Sequence, residues 1–251
     1  MKVYENSDDY DIKVKRDNTP LTIADRLAHN KIKEELGETR IPILSEEGRE
    51  MLYDERKNWD MFWLIDPLDG TIEFIKRNNE FTVNIALMYN NECVASVVYV
   101  PYLQKVYIAE QGEGAHLLTD IAPDEKACWS SEEIQQRKVS LPLPAERNTF
   151  RIAVSRSHQT ADTTTYIEQM RKEHSNIEIV EQGSSYKFCL MAEGAIDYYP
   201  RTTETYEWDT AAAELILVEA GGVVRSLPDH RPLRYNKADL HNPWFECHRF
   251  K

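Results

Sequence analysis

Apolar residues fall in short, separated runs along this chain, and their spacing alternates between helical and extended periods. Thr22 to Leu36 carries Ile23, Leu27, Ile32 and Leu36 on one helical face and stops at Gly37, which predicts an amphipathic helix with a glycine end. Ile41–Leu44 and Phe62–Ile65 are compact apolar runs of strand length. The first delivers Ser45-Glu46-Glu47-Gly48; the second ends at Asp66-Pro67. Phe81–Met88, Val94–Val100 and Lys105–Ala109 are β-rich, and the short links between them predict an antiparallel meander.

Asp120 to Arg147 is rich in charge and proline, with weak periodicity. It predicts a border between two subdomains, residues 1–130 and 131–251. Beyond it the pattern predicts strand Phe150–Ser155, helix Thr160–His174, strand Ile177–Val180, helix Gly183–Glu193 and strand Ala195–Tyr199. Asp209–Ala220 predicts an Ala/Leu-rich helix closed by Gly221-Gly222, followed by strand Val223–Ser226. Helices and strands alternate without internal repeats, so the fold class is a layered α/β (α+β) sandwich with mixed sheets between helices.

A net charge of −13 argues against nucleic-acid polymers and anionic membranes as main partners, since both attract basic surfaces. It leaves small phosphorylated molecules open, because a bound divalent cation reverses the local field. The four cysteines, Cys93, Cys128, Cys189 and Cys247, are far apart and lack metal-site spacing, which predicts free thiols. No apolar stretch reaches the ~20 residues of a membrane span, and the first residues lack a signal-peptide core. The expectation is a cytoplasmic protein; contact with the inner face of the membrane and the oligomeric state stay open.

The densest chemistry lies in Trp63-Leu64-Ile65-Asp66-Pro67-Leu68-Asp69-Gly70-Thr71. Pro67 disfavours a helical Asp66, and Pro, Asp and Gly at these positions predict a type I turn. Such a turn gathers Asp66, Asp69 and the Leu68 carbonyl, which are hard oxygen donors of the kind Mg²⁺ takes. An acidic surface turn is the plain alternative. Asp25, Glu46 and Asp209 also fall in or beside predicted elements. Their plain readings are a surface salt-bridge partner, a solvated loop residue and a helix cap.

Together, Glu46-Glu47-Gly48, Asp66-Pro-Leu-Asp69-Gly70-Thr71, Trp208-Asp209-Thr210-Ala211-Ala212 and Gly221-Gly222 resemble the signature of the lithium-sensitive, Mg²⁺-dependent inositol monophosphatase superfamily. Phe74-Ile75-Lys76-Arg77-Asn78, Glu80 to Leu87, Ser155-Arg156-Ser157-His158 and Gly183 to Cys189 resemble its bacterial 3′(2′),5′-bisphosphate nucleotidase branch. That resemblance implies hydrolysis of 3′-phosphoadenosine 5′-phosphate to AMP and phosphate. It implies two or three Mg²⁺ ions, the first on Glu46, Asp66 and the Leu68 carbonyl and the second on Asp66, Asp69 and Asp209. Glu46 would serve a third, weaker ion, and Glu47 would support the site from outside. Thr71, oriented by Asp25, would help deprotonate the attacking water, while Gly70 and Thr71 would offer N–H groups to the scissile phosphate. Ser184, Lys187 and Arg201 would contact the substrate's phosphates and His158 the nucleotide.

Gly183-Ser184-Ser185 also reads on its own as a helix start that attracts phosphate, with an ordinary helix start and a solvated loop histidine as the plain readings of this turn and His158. Two departures stand out: the extra first helix common in this branch is not evident before Asp17-Asn18-Thr19-Pro20, as in a truncated or late-starting chain, and Ile72 stands where lysine is frequent. Three other readings compete. One is inositol monophosphate or fructose 1,6-bisphosphate as substrate. Another is a haloacid-dehalogenase-type aspartyl nucleophile, which the extra residue between Asp66 and Asp69 disfavours. The last is a non-enzymatic metal- or nucleotide-binding regulator.

Overall fold

A computed structural model describes residues 1–6, 10–14, 20–123, 129–144, 148–157, 160–227 and 229–249. Helix α1 (Lys2–Asn6) and the strand pair β1 (Lys13–Val14) and β2 (Pro20–Leu21) precede α2 (Ile23–Gly37). The α2 helix forms where predicted, but its inward residue is Asp25 and Leu27 faces solvent. The Thr22 hydroxyl accepts the Ala24 N–H at 3.1 Å, and Asp25 accepts the Thr22 N–H at 2.7 Å, a reciprocal cap.

The first sheet starts with β3 (Ile43–Ser45), followed after α3 (Tyr53–Arg56) by β4 (Met61–Asp69). After α4 (Thr71–Ile75) come β5 (Thr82–Tyr89), β6 (Glu92–Val100), β7 (Lys105–Glu110) and β8 (Gly114–Leu118). Helix α5 (Ser131–Arg137) leads to β9 (Val139–Ser140), which still pairs with β8. The sheet thus runs past residue 130, where the sequence pattern sets the subdomain border. Its order is β3-β4-β5-β6-β7-β8-β9, with β3 parallel to β4 and the rest antiparallel. The predicted meander is β5-β6-β7, and its first link turns through Asn90 and Asn91, both with positive φ.

The second sheet contains β10 (Phe150–Ser155), β11 (Ile177–Gln182), β12 (Tyr198–Arg201), β13 (Val223–Ser226) and β14 (Phe245–His248). Its order is β11-β10-β12-β14-β13, parallel through the first three and antiparallel at β14. Strands β8, β9 and β14 were not legible as apolar runs, and Ala195–Tyr199 is displaced to Tyr198–Arg201. Helices α6 (Ala161–Glu173), α7 (Tyr186–Ala192) and α8 (Glu207–Glu219) complete the described chain.

The alanine-rich face of α8 lets it lie close to strands of both sheets, with Ala211, Ala212, Ala213, Ile216 and Leu217 buried. It packs against β4, β5, β6, β7, β8 and β13, and α7 lies beside it. On the outer sides α2 contacts β4, and α6 closes over Ile152, Val154 and Tyr198. The result is the layered sandwich of mixed sheets and helices that the pattern predicts. Among the described residues, no helix is long and apolar enough to cross a membrane. Described Cys93, Cys189 and Cys247 are free thiols, while Cys128 lies outside the described residues.

Candidate active site

The predicted type I turn at Asp66–Asp69 is replaced by continued strand. β4 runs to Asp69, with Asp66 opposite Asn84 and Asp69 opposite Thr82, and the register breaks between them. In a regular strand, residues three apart face opposite sides. The irregularity absorbs one residue and brings both carboxylates to the same cavity. Pro67, which lacks a ladder donor, sits at that break, where strand prolines are tolerated. The Asp66 Oδ1 accepts the Leu68 N–H at 3.0 Å, which ties the irregular segment together.

Gly70 leaves the strand at φ +89°, and a Cβ there would lie 3.0 Å from the Glu80 carbonyl and 3.2 Å from Ser184 Cβ. Only glycine suits that approach, and it places Thr71 at the start of α4. Thr71 Oγ1 lies 3.1 Å from Asp25 Oδ1 and 3.3 Å from the Leu68 carbonyl. Asp25 is 1% exposed, so its surface salt-bridge reading is excluded. Glu46 follows β3, and its N–H donates to the Ile65 carbonyl at 3.1 Å, which sets it beside Asp66. Asp209, in the first turn of α8, accepts the Tyr206 N–H at 2.9 Å, so it caps the helix while it lines the cavity.

Glu46, Asp66, Leu68, Asp69, Gly70, Thr71 and Asp209 border one cavity of about 610 Å³, which Ser184, Lys187 and Arg201 also line, with Asp25 behind Thr71. Burial pushes the Asp66 carboxyl well above the usual carboxylate range, and the charges of Glu46, Asp69 and Asp209 push it further. Asp209 is raised by burial, then by Asp69 and Glu46. The four carboxylates therefore sense one another. Among the described residues no three acidic, histidine or cysteine side chains converge tightly enough to enclose an ion by themselves. Their mutual repulsion opposes tighter approach, and the Leu68 carbonyl, water and a phosphate oxygen are the further donors a Mg²⁺ shell takes. The donor chemistry, hard oxygens throughout, fits that ion.

The predicted helix start at Gly183 is corrected. Helix α7 begins at Tyr186, and Ser184 has φ +52°. Two of the N–H groups that were to face phosphate are already occupied. Gly183 N–H donates to Glu80 Oε2 at 2.7 Å, and Ser185 N–H donates to Asp69. Lys187 is 2% exposed, donating to the Gln182 and Ser184 carbonyls at 3.1 and 2.7 Å. An ammonium has three N–H donors, so one remains for the cavity. Burial, then the nearby Arg201, lowers its pKa to about 8. Arg201 Nη2 donates to the Glu204 carbonyl at 3.0 Å, while its buried Nε has no partner among the described residues. His158 lies outside the described residues.

Sequence reasoning missed several residues that shape this cavity. Thr22, three residues before Asp25, carries the capping-box spacing that could have revealed the pair. Glu80 and Arg156 lie inside the runs quoted above and Glu73 between two of them, but no local signal marks them as partners of distant segments.

Fold and cavity together define a layered α/β protein in which a carboxylate cluster shares its cavity with a buried lysine and a half-buried arginine. The model of the inositol monophosphatase family matches residues 1–243, and the chain belongs to that family. It is 39% identical over 248 residues to the 3′(2′),5′-bisphosphate nucleotidase CysQ of Escherichia coli O6:H1, covering 98% of this chain and 92% of that protein. The CysQ of Haemophilus influenzae is 36% identical over 242 residues, which cover 93% and 82% of the two chains. Among solved structures, CysQ from Bacteroides thetaiotaomicron, described as a bacterial member of the same family, is 47% identical. It superposes with a TM-score of 0.90 over 98% of this chain and 90% of that one.

Proposed function

We infer that this chain is a Mg²⁺-dependent phosphate-monoester hydrolase acting on 3′-phosphoadenosine 5′-phosphate to yield AMP and phosphate. The observation that carries this reading is the gathering of Glu46, Asp66, Asp69 and Asp209 around one cavity whose wall also holds Lys187 and Arg201. Neither charge set suffices alone, since four carboxylates repel an anionic substrate and two cations cannot activate water.

Glu46, Asp66, Asp69, Asp209 and the Leu68 carbonyl would hold two or three Mg²⁺ ions. Bound there, the ions lower the pKa of a coordinated water and neutralise charge that develops on phosphate oxygens. Thr71 accepts a hydrogen bond from the attacking water while its own hydroxyl hydrogen points to Asp25. Gly70 and Thr71 present backbone N–H groups to the scissile phosphate. Lys187 and Arg201 bind the second phosphate, which favours a bisphosphorylated substrate over inositol monophosphate. Ser184 lines the same wall, and the reading gives His158 the nucleoside side. A small phosphorylated nucleotide as partner and a cytoplasmic setting complete it.

Phosphate release from 3′-phosphoadenosine 5′-phosphate, with Mg²⁺ and with or without Li⁺, is the deciding measurement, beside inositol monophosphate as control. Fast, Li⁺-sensitive release from the nucleotide alone is expected. Preference for inositol monophosphate would keep the metal chemistry and move the substrate, while a trapped phospho-Asp66 would replace the water mechanism.

A further inference from the structure

The Gly183–Ser185 turn belongs to the second sheet's side of the molecule but is held by acidic residues from the first. Glu80, just before β5, accepts the Gly183 N–H, and Asp69, at the end of β4, accepts the Ser185 N–H. The Ser185 hydroxyl adds a bond to Asn84 Oδ1 at 2.8 Å. A Cβ on Gly183 would come within 2.5 Å of Glu73 Cγ, so the turn lies flat against α4. Between the two gripped amides Ser184 adopts φ +52°, a conformation that side chains seldom keep without outside restraint. Lys187 in turn grips the carbonyls of Gln182 and Ser184.

Glu80 is itself held from the second sheet. Arg156, directly after β10, donates from Nε and Nη2 to both Glu80 oxygens at 2.9 and 2.8 Å. The same guanidinium reaches the Glu181 carboxylate at 3.2 Å and the Glu181 carbonyl at 2.9 Å. The neighbouring Ser157 hydroxyl donates to Glu73 Oε1 at 2.6 Å. This planar, two-pronged geometry fixes the carboxylate in orientation as well as place. One chain of contacts thus runs from Arg156 through Glu80 and Gly183 to Ser185 and Asp69, and Lys187 hangs from the same turn.

We propose that Arg156 and Glu80 form a positioning clasp that sets Asp69 for cation binding and Lys187 for phosphate binding. Neither side chain touches the reacting atoms; both act through the turn they restrain. The clasp rests on the phosphatase reading of the cavity and adds to it two residues that join the sheets at the site. The Arg156 side chain is 36% exposed and that of Glu80 14%, so the pair is removed together, which leaves no lone buried charge, and Tm is read beside binding to separate positioning from folding.

The test is the charge-conserving double variant E80Q/R156Q, beside R156K, which keeps the cation. Mg²⁺ binding is followed by calorimetry, and kcat and KM are measured on 3′-phosphoadenosine 5′-phosphate. The double variant is expected to bind Mg²⁺ about tenfold more weakly, the usual scale for loss of a residue that orients a metal ligand. Its KM should rise more than its kcat falls, its Tm should stay within about 4 °C of wild type, and R156K, which keeps the charge but not the two-pronged fork, should recover only part of the Mg²⁺ affinity. Unchanged Mg²⁺ affinity and KM in the double variant would overturn the clasp. So would a loss of kcat that merely tracks a falling Tm. A wild-type enzyme that hydrolyses only inositol monophosphate would overturn the substrate reading while the Mg²⁺ measurement still decides the clasp. A wild type that binds no Mg²⁺ would overturn both.

Discussion

Thr71 Oγ1 lies 3.1 Å from Asp25 Oδ1, while the other oxygen of that carboxylate accepts both the N–H and the hydroxyl of Thr22, at 2.7 and 2.5 Å. The Thr22 contacts hold Asp25 in one orientation and leave Oδ1 to Thr71. The Leu68 carbonyl, 3.3 Å from the same hydroxyl, competes for its single hydrogen, but a carboxylate is the stronger acceptor. With that hydrogen committed to Asp25, the remaining lone pairs of Thr71 face the cavity it lines. This is the arrangement expected of a group that takes a hydrogen bond from an attacking water.

Replacing Thr71 with valine keeps the shape and removes the hydroxyl. The expected result is a fall in kcat of about 100-fold, within the range for lost general acid–base assistance. Mg²⁺ affinity measured by calorimetry and Tm should stay close to wild type, because Thr71 is not counted among the ligands. Thr22→Val, which loosens Asp25 without removing its charge, should cost less. Wild-type turnover in Thr71→Val would remove this residue from the mechanism.

The carboxylate cluster also makes a statement about stability without metal. Asp66 and Asp209 have pKa values raised in the folded protein by burial and by their acidic neighbours. Raised carboxyls hold more protons in the folded than in the unfolded chain, so unfolding becomes easier as pH climbs above the ordinary carboxylate range. Chelator-treated protein should therefore lose Tm as pH is raised above about 4, the ordinary carboxylate range. Added Mg²⁺ should restore it most at the higher pH, because an ion that binds only the folded state stabilises by mass action. In Asp66→Asn the pH slope and the Mg²⁺ response should both shrink. A metal-free Tm that stays flat or rises as pH climbs would contradict the proposed coupling.

Much of this site was legible in sequence where local pattern and chemistry coincide. The Phe62–Ile65 run located the strand that carries Asp66, and the Ala-rich run after Trp208 located the helix that carries Asp209. What was not legible depends on contacts between distant segments. Pro67 reads locally as a turn, yet pairing of β4 with β5 carries the strand through it to Asp69. Asp25 reads as a surface charge because its burial comes from tertiary packing, and its bond to Thr71 spans 46 residues. The Gly183–Ser185 turn reads as a phosphate-binding helix start because nothing nearby reveals that Glu80, 103 residues earlier, takes its first N–H. Charge runs and motifs identify chemical capacity; which donors are already spent is settled by the fold.

Lys187 gives the pH dependence of substrate binding. Burial lowers its pKa to about 8, so the ammonium is present below that pH and is lost as pH rises through it. A bound phosphate favours the charged form, so binding and protonation support each other. KM for 3′-phosphoadenosine 5′-phosphate should accordingly rise above about pH 8 at saturating Mg²⁺. Lys187→Met should show a KM about tenfold higher at neutral pH, on the scale of a lost charge-assisted hydrogen bond. The rise in KM above that pH should disappear from its profile. The variant comparison separates this titration from that of any water or phosphate group, since those persist when Lys187 is gone. A profile that keeps the same alkaline rise in Lys187→Met would assign the ionisation to another group and release Lys187 from phosphate binding.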